Sequence, residues 1–112
     1  MSFSVDTISN DTVVVTIGAW LDFRNASEFK TEYQDHIGSG TRNFILDFTD
    51  TGSFDSTGLG SLFTLYRSIS QLGGEVVFAS LSKPVQNTIQ LTHAYKVFRL
   101  FSSVNEAREA LA

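Results

Sequence analysis

Apolar positions along this chain alternate between short, dense runs and longer stretches in which they recur every three or four residues. The runs FSVDTIS (residues 3–9) and TVVVTI (12–17) have a β pattern and are separated by Asn10-Asp11, a pair suited to a tight turn, which predicts an opening hairpin. In WLDFRNASEFKTEYQDHIGSG, Ala26, Phe29, Tyr33 and Ile37 fall at helical spacing. Asn25 is placed as the N-cap, Glu28 three residues on as the other half of a capping box, and Gly38 as the stop. NFILDF (43–48) is short, apolar and bounded by turn formers, which suits a central strand covered on both faces.

The alternation continues to the end of the chain. Leu59, Leu62, Phe63, Tyr66 and Ile69 share one helical face, and Gly73-Gly74 ends that pattern. EVVFAS predicts a second buried strand, and SKPVQNTIQLTH a third helix with Ser82 as cap and Pro84 in its first turn, where a missing N–H costs nothing. KVFRLF predicts a last strand. Ser103 and Glu106 form a capping box for VNEAREALA, in which Val104, Ala107 and Leu111 lie together. The predicted order is β-β-α-β-α-β-α-β-α: an α/β domain with a mixed sheet of about five short strands and about four helices. Its strand-helix-strand crossovers are right-handed and so set strands parallel.

Composition narrows the function classes. The 112 residues are 42% hydrophobic, the amount expected of one soluble domain, long enough to bury roughly two thirds of its unfolded surface without a staple. Cysteine is absent. The N-terminus has no basic segment followed by a long apolar stretch, and no window approaches a membrane span, so a cytoplasmic protein without membrane attachment is expected. Eight Lys and Arg against twelve Asp and Glu give a formal charge of -4, and the basic residues are scattered, which argues against nucleic-acid binding.

Chemistry concentrates in FDSTGLGSLF (54–63), at the turn from the third predicted strand into the second helix, where α/β sheets commonly carry function. Ser56 and Thr57 both have capping chemistry, and Gly58 and Gly60 permit close approach of other backbone. A dinucleotide fingerprint fails because Phe63 stands at its third glycine position. A hydrolase elbow needs glycine on both sides of the nucleophile, and the first is missing before Ser56; His36 and His93 are the only candidate bases. Asp47, Asp50 and Asp55 read as a solvated acidic rim, not a metal site. Phosphorylation of Ser56 is the remaining reading. A phosphate there meets unpaired N–H groups and the positive end of the helix dipole, and adds nearly two negative charges beside Asp55. Plain helix capping is the alternative that stays open.

The run F-D-S-T-G-L-G-S-L (54–62), preceded by NFILDF and followed by a helix ending Q-L-G-G-E-V (71–76), resembles the STAS domain of bacterial anti-sigma factor antagonists. WLDFRNASEFK (20–30) is similar to that family's L-D-x-x-x-A segment, and residues 80–111 follow its third helix, short strand and C-terminal helix. Ala19 and Trp20 stand where many members have glycine and a polar residue. The likeness covers nearly the whole chain and implies a single STAS domain over 1–112. It further implies a non-enzymatic, cofactor-free partner switch. Its unphosphorylated form binds a serine-protein kinase that is also an anti-sigma factor; phosphorylation at Ser56 abolishes binding; and a PP2C-type phosphatase restores it. Asp22, Asp55, Ser56, Thr57, Gly58 and Leu59 are the partner-binding positions so implied, with Asp22 close to Ser56 and Thr57 serving as the helix cap. Phe54 is expected in the core at the sheet edge, and Trp20 either in the core or at the interface.

Overall fold

The computed structural model describes residues 3–112. Strands β1 (Ser4–Thr7) and β2 (Thr12–Thr16) form the opening antiparallel hairpin, closed by Ile8 N–H donating to the Thr12 carbonyl at 2.9 Å. β4 (Asn43–Asp47), β6 (Glu75–Ala79) and β7 (Arg99–Phe101) then add in parallel, giving a five-stranded sheet in the order β1-β2-β4-β6-β7. β4 is central, and Phe44, Ile45 and Leu46 are all fully buried, as its unbroken apolar run predicts.

Helices cover the sheet unequally. Alternate strand residues such as Val13, Val15, Phe44, Leu46 and Phe78 face α1 (Ala26–Gly38), α2 (Ser56–Gln71) and α3 (Lys83–Thr92), and with them form the larger core. Val14, Ile45, Val77 and Ala79 point the other way, against Ala107, Val104 and Leu111 of α4 (Val104–Leu111). Phenylalanines fill the larger core: Phe78 stacks on Phe98 at 4.5 Å, and Phe48 meets Phe54 and Phe78 at 5.5 and 5.1 Å. Gly73 ends α2 with φ +80, a left-handed conformation that glycine adopts without strain. Among the described residues no helix is long and apolar enough to cross a membrane.

Several local expectations are corrected. Two strands of two residues each, β3 (Trp20–Leu21) and β5 (Ser53–Phe54), were not predicted; they pair in parallel as a separate small sheet. Asn25 precedes α1 but its side chain makes no cap bond to the helix, because Trp20 and Asp22 occupy it. Ser82 likewise does not cap α3; its hydroxyl donates instead to the Thr51 carbonyl. The predicted last strand begins three residues late, since Ala94–Lys96 forms a 3-10 turn that drops Phe98 into the core before β7 starts. Of the capping box of α4, the first half forms as predicted, with Ser103 Oγ accepting from Glu106 N–H at 3.1 Å, while the Glu106 carboxylate accepts from Ser102 N–H, one residue before the cap, at 3.1 Å.

Candidate functional site

The small β3-β5 ladder is what assembles the site. Trp20 lies opposite Ser53 and Leu21 opposite Phe54, so the chain leaves both strands at the same level, into Asp22 on one side and Asp55 on the other. Its start is anchored by Gly52 N–H donating to the Ala19 carbonyl at 2.8 Å and by Thr51 Oγ1 donating to the Gly18 carbonyl at 2.8 Å. α3 holds its end, with Thr88 Oγ1 donating to the Phe54 carbonyl at 3.1 Å. Two segments 33 residues apart in sequence thereby become one surface.

The Asp22–Asn25 segment is a closed loop. Asp22 N–H donates to Asn25 Oδ1 at 3.1 Å, Asn25 Nδ2 donates to the Trp20 carbonyl at 2.9 Å, and the Asp22 carbonyl accepts from Asn25 and Ala26 N–H. The Asp22 carboxylate is 2% exposed. It receives Arg24 Nη2 at 2.7 Å, Arg24 Nε and N–H at 3.0 Å each, and Ser53 Oγ at 2.8 Å. These donors, led by the Arg24 side chain, hold its pKa well below the ordinary carboxylate value of 3.8 and outweigh the desolvation that pushes it up. Asp22 in turn raises the Arg24 pKa, with a smaller contribution from the Asp55 charge. The guanidinium also lies over the Trp20 ring, 4.0 Å from its centroid, a cation-π arrangement. Phe23, between these residues, is 76% exposed.

On the other side, Asp55 is the helix cap. Its Oδ1 accepts from Gly58 N–H at 2.9 Å, which corrects the assignment of that task to Thr57. Ser56 and Thr57 are the first two residues of α2, and both are exposed. Gly58 is buried against β3: a Cβ at this position would stand 2.1 Å from the Leu21 carbonyl oxygen, so only glycine lets the helix start here. Gly60 faces open space, and the expectation that it too admits close backbone is not met.

Of the six positions expected to bind a partner, Asp55, Ser56 and Thr57 reach the surface, whereas Asp22, Gly58 and Leu59 lie beneath it. Leu59 packs in the core at 6% exposure, so it shapes the surface from below. Phe54 is buried at 7%, as expected of a side chain closing the strand end, and Trp20 is partly exposed at 36%. The sequence reading missed Arg24 and Phe23, which sit between two recognised positions but follow no period. His93 ends α3 against Tyr95, and His36 pairs with Glu32 within α1. Among the described residues no group of three His, Cys, Asp or Glu side chains is arranged to hold a metal ion.

A protein of Thermotoga maritima, provisionally assigned as an anti-sigma factor antagonist, is 27% identical over 103 residues covering 91% of both chains. The crystal structure of an anti-sigma factor antagonist from T. maritima superposes with a TM-score of 0.89 at 27% identity, over 97% of this chain and 93% of the other. The anti-sigma factor antagonist SpoIIAA in its unphosphorylated form has the same fold, with a TM-score of 0.85 at 18% identity and 96% and 94% coverage. The family model of the STAS domain matches residues 4–107. A mixed five-stranded sheet with four helices, a capped D-S-T-G turn and this match together place the chain in the STAS domain family.

Proposed function

We propose that this protein is a cytoplasmic anti-sigma factor antagonist working by partner switching. Unphosphorylated, it binds a serine kinase that is also an anti-sigma factor. Phosphorylation of Ser56 ends that binding, and a PP2C-type phosphatase restores it. In the forward step the Ser56 Oγ–P bond forms as the bond from the γ-phosphorus to ADP breaks, and the hydroxyl proton passes to a base of the kinase. In the reverse step water takes the phosphoryl group and returns serine and inorganic phosphate.

The observation that carries this reading is the exposure of Ser56 at the first position of α2, with its neighbour Asp55 already engaged as the cap. The hydroxyl therefore is not required to hold the helix. A phosphate there lies at the positive end of the dipole, next to N–H groups with no intrahelical acceptor, so the fold tolerates it. The names of the T. maritima and SpoIIAA relatives support the same function, and one solved form of the Bacillus protein SpoIIAA is phosphorylated.

The test is intact mass and peptide mapping of the protein recovered from its native cells, beside a Ser56→Ala variant. A phosphate adduct mapping to Ser56 and absent from the variant is the expected result. Binding to the kinase is expected to persist in Ser56→Ala and to fall at least tenfold in Ser56→Asp. A single unmodified mass under every growth condition, with equal binding by Ser56→Asp, overturns the reading in favour of a scaffold whose serine is never turned over.

A further inference from the structure

Arg24 has more partners than its position needs. It donates three hydrogen bonds to one carboxylate, lies over an indole ring, and still leaves 44% of its side chain in solvent. The same oxygen, Asp22 Oδ2, that takes Arg24 Nη2 at 2.7 Å also takes Ser53 Oγ at 2.8 Å, so the guanidinium is held against β5, three residues ahead of Ser56. One step past the ladder the chain enters Asp22 on one side and Asp55 on the other, with Arg24 two residues beyond the first and Ser56, the start of α2, one beyond the second. The Asp55 charge also adds, as the smallest of its causes, to the raised pKa of Arg24, in keeping with that placement.

Resting on Ser56 as the phosphoacceptor, we propose that Arg24 is the internal receiver of the phosphate: it turns from Asp22 and the Trp20 ring to phosphorylated Ser56. A phosphate near two negative charges outcompetes a carboxylate for a guanidinium, which offers it a bidentate fork. Asp22 remains satisfied after the exchange, because Ser53 Oγ and Arg24 N–H still donate to it. The surface changes in two ways. The cation leaves Trp20, exposing the face of that ring, and the neighbouring Phe23 loses its fixed flank. Phosphorylation then ends partner binding by reshaping the apolar side of the site as well as by repulsion.

The full chain with phosphoserine inserted at position 56 during translation tests this without any kinase, so the outcome is separate from whether cells phosphorylate Ser56. Phosphorus NMR titration gives the second ionisation of the phosphate, which is about 6 for the free group. It is expected to lie at least half a pH unit lower in the native background than in Arg24→Gln, with Arg24→Lys between them. Trp20 is the sole tryptophan, so its emission is expected to shift on phosphorylation in the native background and to stay fixed in Arg24→Gln. Equal ionisation in all three backgrounds, with an emission that ignores phosphorylation, overturns the proposal. Amide spectra of each variant show whether the loop remains folded; should Arg24→Gln disturb it, the comparison with Arg24→Lys decides on the same criterion.

Discussion

Asp22 is buried and acidic, a costly combination offset by five hydrogen bonds from three donor groups to its two oxygens. Its folded pKa is depressed, so its contribution to stability is complete above the unfolded value and is lost as pH falls toward the folded one. Asp22→Asn is therefore expected to lower the melting temperature by a constant amount between pH 5 and 8. The gap from the native protein should narrow below about pH 4, where an ordinary carboxylate protonates. Thermal melts at pH 7 and pH 3 check this, and a gap that widens in acid would refute it. Phe23 presents the opposite case, an apolar ring left largely in water, with little buried area to contribute to stability. Phe23→Ala should leave the melting temperature unchanged, within the roughly 0.5 kcal/mol typical of surface changes, and weaken binding to the kinase at least tenfold by isothermal titration.

At the scale of elements, the contact between α2 and β3 sets the site's geometry, and its two glycines make opposite predictions. Gly58→Ala drives a methyl group into the Leu21 carbonyl and is expected to destabilise by about 1–3 kcal/mol in urea unfolding. Gly60→Ala meets nothing within 4 Å and replaces a poor helix former, so it should stabilise by up to about 1 kcal/mol. The same contact shows where sequence reading stops. β4 and β6 were legible because five consecutive residues in each carry an unmistakable apolar density, and α2 because its buried residues keep helical spacing. A two-residue strand has no period at all, so β3 and β5 were invisible, and with them the reason Asp22 lies beside Asp55. That proximity was inferred from resemblance alone. The caps failed for another reason: Asn25, Ser82 and Thr57 have the right chemistry, but neighbours in its own loop claimed the first, a tertiary partner the second, and Asp55 forestalled the third. Ser103 kept its predicted role where no competing partner intervenes.

Across the whole molecule, the sheet and its two apolar cores lie apart from the exposed Ser56, and among the described residues no side-chain hydrogen bond links them to it. Phosphoserine at position 56 is accordingly expected to leave amide exchange in β2, β4 and β6 unchanged and to confine chemical-shift changes to residues 20–25 and 53–60. Widespread shifts through the sheet would mean that the switch refolds the domain. The formal charge moves from -4 to about -6, so residual binding to an acidic partner surface should become salt-dependent, strengthening as ionic strength rises. The β3-β5 ladder also has an evolutionary consequence. It fixes the entry to the loop that follows by backbone pairing, and Asn25 and Asp22 close that loop through their side chains, while Phe23 is exposed just beyond the last rung. Gene duplicates can therefore diverge at that position and at Trp20 without loss of foldability, and, on the proposed function, paralogues within one cell can acquire separate partners through a handful of codons, insulated from crosstalk while sharing an identical chassis.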